Sequence, residues 1–364
     1  MSKGTVLLCA GGTGGHLFPA EAVAHEMKDR GYTIHLAADE RVERFAGQFP
    51  AEVIHQIRSA TFSSKNPIGL LKTGLQLFGG YRQSKNLLKK LNPIVVAGFG
   101  GYPTVPPLFA ASRMTVPTLI HEANAVLGRA NRFLGSRVNK VAIGFGDTEN
   151  IGDIRVSVTG NPVRPAVLAA AEQPYGKRTP AKPFNLVIFG GSQGASFFSE
   201  ALTQACQLLP DRARAKLKIV QQARAEDKED VIRRYQEMGV DAEVDTFFSD
   251  MPNRIAEAHL VISRSGASTV SELAVIGRPA ILVPYPHALD HDQAANAATM
   301  AAEGGAQIYQ QAVLSPQILA EELRKAIDEP KRLALAAKNA KKTGKPEAAG
   351  QLADMLEVLA AGHK

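Results

Sequence analysis

A histidine near the N-terminus stands where it could transfer a proton beside an anion. His16 closes the glycine-rich segment 11–15 (Gly-Gly-Thr-Gly-Gly), which follows an apolar run and precedes a helical pattern. A glycine-rich turn between a strand and a helix presents backbone N–H groups to anions such as phosphate. Because the ordinary pKa of histidine lies near neutrality, His16 could accept a proton from an attacking hydroxyl. A purely structural histidine fits the same spacing.

A second glycine-rich turn occurs about half a chain length later. Segment 190–195 (Gly-Gly-Ser-Gln-Gly-Ala) also lies between an apolar run and a helical pattern. Neither turn continues into the Gly-Lys-Ser/Thr of a P-loop, so hydrolysis of ATP or GTP is not expected. Leu17 occupies the third glycine position of a Gly-x-Gly-x-x-Gly motif, which argues against nicotinamide binding.

The second half of the chain carries a carboxylate that could bind a sugar. Glu272 follows the segment Arg264-Ser265-Gly266, and we expect it in the first turn of a helix. There it could hold two vicinal hydroxyls such as those of a ribose. The alternative is a structural role, because Thr269 and Glu272 have the Thr-x-x-Glu spacing of a capping box.

A polar cluster after Pro286 raises the question of a metal site. The cluster matches no strong metal-binding signature, and the proline favours a loop. We therefore interpret it as a loop that contacts a sugar, and we predict no metal and no other cofactor. Its members are His287, Asp290, His291 and Asp292.

Short runs rich in β-branched residues alternate with helical patterns along the chain. These strands and helices must position the candidate functional side chains. This alternation predicts parallel sheets, and each glycine-rich turn opens one doubly wound α/β domain. We therefore predict two Rossmann-like domains that face each other across a cleft, where ligands bind beyond the carboxyl ends of the strands. The predicted strands are residues 5–10, 33–37, 94–97, 118–121, 140–143, 186–189, 218–220, 260–263 and 280–283.

Length and composition fit a protein of the reducing cytosol. The 364 residues suffice for two domains, and Cys9 and Cys206 are too few and too distant for a disulfide framework. The N-terminal apolar run is too short for a signal peptide. Residues 91–112 carry no charge, but their prolines and glycines favour a strand, a loop and a short helix over a membrane span.

The net charge of +7 lies in the first half of the chain, and no acidic residue occurs between Val53 and His121. Between residues 66 and 91, lysines and arginines alternate with large apolar residues. This combination is typical of a surface that binds anionic membranes. The alternative is a helix with an apolar core face and a solvated basic face. Nucleic acid is not expected, because no motif for binding it accompanies the charge.

Six motifs follow one another along the chain. They are segment 11–16, Gly100-Gly101-Tyr102, His121-Glu122-Ala123-Asn124, Gly160-Asn161-Pro162-Val163-Arg164, segment 190–194, and Arg264-Ser265-Gly266 with Glu272. Together they resemble the motifs of glycosyltransferase family 28, of the GT-B fold, and within it the MurG enzymes. The resemblance implies inverting transfer of N-acetylglucosamine (GlcNAc) from UDP-GlcNAc to the 4-hydroxyl of N-acetylmuramic acid (MurNAc) in lipid I. The product is lipid II, which serves peptidoglycan synthesis and hence cell shape and division.

The resemblance also assigns residues to substrates. It implies that His16 is the general base and that Tyr102, His121 and Glu122 surround the acceptor together with Thr13 and Asn124. Arg164 and Ser192 would approach the donor phosphates, Phe248 uracil and Glu272 the ribose. The complete donor set is Thr13, Gly14, Gly15, Asn124, Arg164, Ser192, Gln193, Phe248, Ser265, Gly266, Ala267, Ser268, Glu272, Gln293 and Asn296. Asp292 precedes Gln293 where relatives are expected to have a second glutamine.

The resemblance also assigns one substrate to each predicted domain. Prolines near residue 162 mark the boundary, so residues 1–161 form the acceptor and membrane-facing domain and residues 162–345 the UDP-GlcNAc domain. The C-terminal helix, 346–364, is expected to pack on the first. A peripheral position on the cytoplasmic face of the bacterial plasma membrane is implied, with other cell-wall synthesis proteins as partners. The predicted membrane patch is Ile68, Leu71, Lys72, Leu75, Phe78, Arg82, Lys85 and Lys89.

Three other functions remain open from the sequence. The chain could be another GT-B transferase that uses a UDP-sugar, or a UDP-GlcNAc 2-epimerase. The basic, acid-free segment argues against an epimerase, which has no lipid-linked acceptor. A two-lobed binding protein without catalytic activity is the third alternative, and release of UDP would discriminate against it.

Overall fold

The computed structural model describes residues 2–44, 49–59, 67–176, 179, 181–288 and 292–362. Within these ranges, the side chains at 43–44, 67–72 and 191–195 are not described. The chain divides into two compact units, Met1–Pro165 with Lys345–Lys364, and Ala166–Gly344. Each unit contains one parallel sheet with helices, which confirms the prediction of two doubly wound α/β domains.

The first unit alternates strands and helices from its N-terminus. Its strands are β1 (Thr5–Cys9), β2 (Thr33–Ala38), β3 (Val53–Gln56), β4 (Val95–Gly98), β5 (Thr118–Glu122), β6 (Lys140–Ile143) and β7 (Val156–Val158). Its helices are α1 (Gly14–Asp29), α2 (Pro67–Leu91), α3 (Val105–Arg113), α4 (Arg129–Gly135) and the C-terminal α14 (Ala348–Ala361). Short 3-10 turns cover Glu40–Arg44 and Tyr102–Thr104.

The strand order in this sheet is β3-β2-β1-β4-β5-β6-β7, and every pairing is parallel. The order reverses at β1, so the loops after β1 and β4 lie side by side, the position at which such folds bind ligands. The N–H of Gly11 donates to the carbonyl of Gly100 over 3.1 Å, which ties the two loops together.

The C-terminal helix α14 belongs to the core of the first unit. Leu352, Ala353 and Leu356 are buried in one cluster with apolar residues of β1 and α1. Arg30, just after α1, donates to Asp354 over 2.6 Å and to Glu357 over 2.7 Å. Residues distant in sequence therefore complete the first sheet's packing.

The second unit has the same plan. Its strands are β8 (Phe184–Phe189), β9 (Leu217–Gln222), β10 (Asp241–Asp245), β11 (Leu260–Ser263), β12 (Ala280–Leu282) and β13 (Ala306–Ile308), in the parallel order β10-β9-β8-β11-β12-β13. Its helices are α5 (Pro165–Ala170), α6 (Gly191–Leu208), α7 (Asp211–Arg214), α8 (Ala225–Glu237), α9 (Met251–Glu257), α10 (Ala267–Ile276), α11 (Asp292–Ala302), α12 (Pro316–Asp328) and α13 (Pro330–Thr343). The order reverses between β8 and β11.

The uncharged stretch from residue 91 to 112 holds the end of α2, strand β4, a 3-10 turn and most of α3. This confirms the expectation of a strand, a loop and a short helix. In the part of the chain that the structure describes, no helix is both long enough and apolar enough to cross a membrane.

Candidate active site

The first glycine-rich turn leads into the N-terminus of α1. Helix α1 begins at Gly14 with Thr13 as its N-cap residue, so its first N–H groups have no partner within the helix and carry the positive end of the helix dipole. A Cβ atom at Gly12 would lie 2.5 Å from Asp39 Oδ1 and 2.5 Å from the nitrogen of Val42. Only glycine allows this close approach to the chain that follows β2.

The imidazole of His16 lies against the neighbouring loop, which follows β4. A Cβ atom at Gly100 would lie 2.8 Å from His16 Cδ2, and one at Gly101 would lie 3.3 Å from His16 Nδ1. Both glycines also have positive φ, +92° and +81°, which side chains with a Cβ rarely adopt. The two glycines therefore make room for the ring, whose Nδ1 lies 3.2 Å from Thr13 Oγ1.

The surroundings of His16 keep its imidazole neutral. Burial, reinforced by the positive charge of Arg41, lowers the pKa of His16 to about 4, while Asp39 opposes the change. A neutral imidazole is the form that can accept a proton. When Nδ1–H donates to Thr13, Nε2 carries the free lone pair.

Arg164 also lies next to this turn. Its guanidinium carbon is 3.9 Å from the centre of the Phe18 ring, in the first turns of α1, and a Cβ atom at Gly14 would lie 3.0 Å from Phe18 Cε2. Cation–π contact of this kind holds a guanidinium over an aromatic face. Arg164 belongs to the first unit by its packing, and Phe18 was not predicted as a site residue.

Glu122, at the carboxyl end of β5, organises the loop that follows. Its Oε1 accepts the backbone N–H of Asn124 over 2.9 Å and that residue's amide over 3.2 Å. Its Oε2 accepts from the N–H of Gly128 and from Asn131 Nδ2, each over 2.9 Å. Burial raises the pKa of this carboxyl against the effect of its donors. With four donors satisfied, Glu122 positions Asn124; direct contact with an acceptor stays a prediction.

His121 is fully buried beside Glu122. Its Nε2 lies 3.1 Å from the carbonyl of Gly160, and burial lowers its pKa to about 4. A second bond, from Asn161 Nδ2 to the carbonyl of Ala123 over 2.8 Å, joins the same two segments. His121 therefore anchors the chain near residue 160, and its predicted contact with the acceptor stays a prediction. Tyr102, by contrast, is half-buried and lines a cavity.

The loop after β11 in the second unit is fixed by α11. Ser265 donates to the carbonyl of Gln293 over 2.7 Å, and Asn296 Nδ2 donates to the carbonyl of Ser265 over 3.2 Å. The Oε1 atom of Gln293 accepts from the N–H of Tyr285 over 2.9 Å. The structure thus brings three predicted donor residues together, with Ser265 and Asn296 buried.

Arg264 lies in the same loop, and its motif predicts no role for it. It is buried, and burial lowers its pKa to about 10. It donates to the carbonyl of Val283 over 3.2 Å and to Gln311 Oε1 over 2.6 Å. Arg264 therefore joins the loop after β11 to the segments after β12 and β13, and these partners could not be predicted from its spacing.

The expected position of Glu272 is wrong by one turn. Helix α10 begins at Ala267 with Gly266 as its N-cap residue, so Glu272 is in the second turn and is nearly buried. Thr269 lies within the helix and is not its N-cap, so the capping-box alternative is also wrong. The hydroxyl of Ser268, near the start of α10, is buried and has no hydrogen-bond partner in the described part of the chain.

The remaining donor predictions fall on the same unit. Ser192 and Gln193 are at the start of α6, which begins at Gly191, so most of the second glycine-rich segment is helical. The side chains of Ser192 and Gln193 are not among those that the structure describes. Phe248 is mostly buried, with the Arg254 guanidinium carbon 4.4 Å from its ring centre.

Two of the four residues in the polar cluster after Pro286, Asp290 and His291, lie outside the described residues. The exposed His287 packs edge-on to Tyr285, with ring centres 5.6 Å apart. Asp292 begins α11. Among the described residues no three potential ligands are close enough to hold a metal.

Family models match both halves of the chain. Residues 6–143 match the N-terminal domain of glycosyltransferase family 28, and residues 185–352 match its C-terminal domain. The chain belongs to glycosyltransferase family 28. Membership of this family, with its two-domain GT-B fold, confirms the resemblance that the sequence motifs indicated.

Relatives within family 28 include a named transferase and a solved structure. A Brucella anthropi protein, UDP-N-acetylglucosamine–N-acetylmuramyl-(pentapeptide) pyrophosphoryl-undecaprenol N-acetylglucosamine transferase, is 58% identical over 363 residues, which cover 100% of this chain and 97% of the relative. The crystal structure of MurG from Acinetobacter baumannii is 30% identical, with a TM-score of 0.76, and the match covers 97% of this chain and 99% of that one. A UDP-N-acetylglucosamine 2-epimerase, 12% identical over 100% of this chain and 98% of its own with a TM-score of 0.68, shares the fold alone.

Proposed function

We propose that this family 28 protein transfers GlcNAc from UDP-GlcNAc to the 4-hydroxyl of MurNAc in lipid I, with inversion at the anomeric carbon, and so forms lipid II. The observation that carries the proposal is a neutral histidine, His16, held at the N-terminus of α1 in a chain 58% identical to a relative with that activity in its name. A base and a helix N-terminus in one place suit a reaction between a hydroxyl and a phosphate-linked sugar.

The first step assigned to the chain is activation of the acceptor. Nε2 of His16 accepts the proton of the 4-hydroxyl while Thr13 holds Nδ1. General base catalysis of this kind contributes about 10²- to 10⁴-fold. Because a pyrophosphate is anionic, its binding beside α1 raises the pKa of His16 above that of the free protein, which makes the imidazole a stronger base. Tyr102 and Asn124 border the acceptor, and Glu122 fixes Asn124.

The second step is departure of UDP. The activated oxygen attacks the anomeric carbon from the face opposite the leaving group, so the new bond has inverted configuration. The negative charge that develops on UDP is stabilised by the N-termini of α6 and α10, where Ser192, Gln193, Ser265, Gly266, Ala267 and Ser268 lie, and by Arg164. Glu272 binds the ribose hydroxyls, Phe248 contacts uracil through its backbone, and Gln293 and Asn296 serve the transferred sugar.

Helix α2 is the part of the chain that we propose for docking on an anionic membrane surface. Leu75 and Phe78 are 64% and 57% exposed, so the alternative in which the large apolar residues all face the core is wrong for these two. Together with the exposed Arg82, Lys85 and Lys89, they repeat at intervals of three and four residues, which places all five on one helix face. The other residues of the predicted membrane patch are Ile68, Leu71 and Lys72, whose side chains are not among those that the structure describes.

The exposed face of α2 is the basis for the proposed cellular location of the protein. Each cation near an anionic surface contributes about 1 kcal/mol, and the apolar side chains enter the interface. We therefore assign the protein to the cytoplasmic face of the bacterial plasma membrane, where UDP-GlcNAc is available. Co-sedimentation with anionic vesicles tests this, since Leu75→Ser with Phe78→Ser must weaken binding and Leu335→Ser, at an exposed leucine of the second unit, must not.

Release of UDP from UDP-GlcNAc, with and without a short-chain lipid I analogue, tests the activity itself. The proposal requires release that depends on the acceptor. Release without any acceptor, together with an epimerised sugar, would favour the 2-epimerase. Binding of UDP-GlcNAc without release would favour a binding protein.

A further inference from the structure

A cavity of about 700 Å³ lies in the first unit. It is bounded by the chain after β2, the chain after β3, helix α2 and the 3-10 turn that begins at Tyr102. Its volume falls within the ~300–1,000 Å³ typical of ligand sites. Its polar lining includes the side chains of Asp39, Glu40, Arg41, Arg58, Gln76, Gln83 and Tyr102.

The cavity begins beside the candidate base. Gly12, in the turn that leads to His16, packs so closely on the cavity wall that an added Cβ would lie 2.7 Å from the carbonyl carbon of Arg41. Arg41 and Asp39 both act on the pKa of His16 through their charges. On the opposite side, Tyr102 follows directly after the Gly100-Gly101 pair against which the His16 ring lies.

The wall after β3 is built rigidly onto α2. Gln83 donates to the carbonyl of Gln56 over 2.6 Å and accepts the backbone N–H of Arg58 over 3.1 Å. A Cβ atom at Gly80 would lie 2.1 Å from the carbonyl oxygen of Arg58, so α2 contacts this segment through a glycine. The backbone of Arg58 is therefore fixed before any ligand arrives.

Arg58 supplies a cation that pairs with no carboxylate in the described part of the chain. It is exposed and forms no ion pair among the described residues, and residues 53–121 include no acidic residue. The carboxylates that line the cavity, those of Asp39 and Glu40, belong to the wall after β2. Arg41, by contrast, donates from Nε to Asp39 Oδ2 over 3.0 Å. An unpaired guanidinium in a polar cavity suits a carboxylate, which it can bind through two hydrogen bonds, and the exposed amide of Gln76 suits a peptide backbone.

We propose that this cavity binds the peptide of the acceptor, with Arg58 pairing to a peptide carboxylate and Gln76 bonding the peptide backbone. The inference rests on the proposed function, because it takes a muramyl pentapeptide as acceptor. In muramic acid the lactyl group that carries the peptide stands on the ring carbon next to the accepting hydroxyl. When the accepting hydroxyl is held at His16, the first residue of the peptide therefore lies close to the cavity wall formed by Asp39 and Arg41.

The test compares two short-chain lipid I analogues in detergent, one with the complete pentapeptide and one with the peptide cut back to its first residue. For the wild type, kcat/KM is expected to be about tenfold higher with the complete peptide. Arg58→Ala lowers kcat/KM about tenfold for the complete peptide only, and Arg58→Lys restores part of the loss. Arg113→Ala, at an exposed arginine of α3 outside the cavity, is the matched control and changes neither value.

The outcomes separate this inference from the proposed function. Equal kcat/KM for the two acceptors in the wild type, or an equal loss for both in Arg58→Ala, would overturn the peptide site while leaving the transfer intact. No transfer to either acceptor by the wild type would overturn the proposed function and the peptide site with it. Unchanged thermal unfolding of the exposed Arg58 variants shows that the comparison concerns binding and not folding.

Discussion

The Nδ1 atom of His16 lies 3.2 Å from Thr13 Oγ1, with the imidazole stacked against two glycines that have positive φ. This relationship joins the N-cap of α1 to the loop after β4, which meet where the strand order of the first sheet reverses. It fixes the ring, and Nε2 carries the free lone pair when Nδ1–H donates to Thr13. The first glycine-rich turn therefore supplies a helix N-terminus and a placed base together.

Replacement of His16 tests that base. We expect His16→Ala to lower kcat by roughly 10²-fold or more, because the acceptor hydroxyl loses its proton acceptor, with little change in the affinity for UDP. His25→Ala on the same helix is the matched control. Steady-state kinetics with UDP binding by calorimetry measures both. Turnover close to that of the wild type would remove His16 as the base.

Glu122→Gln tests whether this carboxylate positions its loop. The substitution replaces an oxygen that accepts hydrogen bonds by an NH₂ group facing N–H donors, so stability should fall by about 1–3 kcal/mol. We expect KM for the acceptor to rise through displacement of Asn124, while KM for UDP-GlcNAc stays constant. Urea unfolding and acceptor kinetics measure these effects. A rise in the acceptor KM at unchanged stability would instead indicate that Glu122 touches the acceptor directly.

Glu272→Ala tests the ribose contact. Since α10 begins at Ala267, Glu272 does not cap the helix, and the substitution should mainly raise KM for UDP-GlcNAc by about tenfold, the loss of a charged hydrogen bond. Glu303→Ala, just after α11, serves as the control. An unchanged KM for the donor would mean that Glu272 serves the packing of its own unit.

His121 predicts a dependence of stability on pH. Its pKa is about 4 in the folded protein and near 6.5 when unfolded, so the unfolded chain binds more protons between these values. The stabilisation is complete above pH 6.5 and is lost as pH falls towards 4, roughly 3 kcal/mol in all. Urea unfolding from pH 7.5 to 4.5 measures it. His121→Gln should show a shallower dependence, and the same slope in both proteins would contradict this account.

Strand prediction from the sequence succeeded in the sheet interiors and failed at their edges. All nine predicted strands are present, whereas β3, β7, β10 and β13 were missed. These four strands are the outermost of their sheets, and apart from Val244 their side chains are exposed or half-buried. A strand buried on both faces reads as a continuous apolar run, but an edge strand does not.

The site was predictable only in part, for a similar physical reason. A glycine turn or a helix N-terminus is a local feature, so His16 and the start of α6 could be read from spacing. The roles of Arg41 and Phe18 depend on contacts with segments that are distant in sequence, which spacing alone does not reveal. Likewise, the spacing of Glu122 and His121 could not reveal the hydrogen bonds by which they fix Asn124 and the chain near Gly160.

Transfer of a labelled sugar is the measurement that decides whether this protein forms lipid II. The purified protein would be incubated with UDP-GlcNAc labelled in its GlcNAc and a short-chain lipid I analogue, and the products separated and examined by mass spectrometry and proton NMR. The account predicts one labelled GlcNAc on the 4-hydroxyl of MurNAc in the β configuration, with one UDP released for each sugar transferred. Label that appears in a free or epimerised sugar, with the acceptor unmodified, would contradict it.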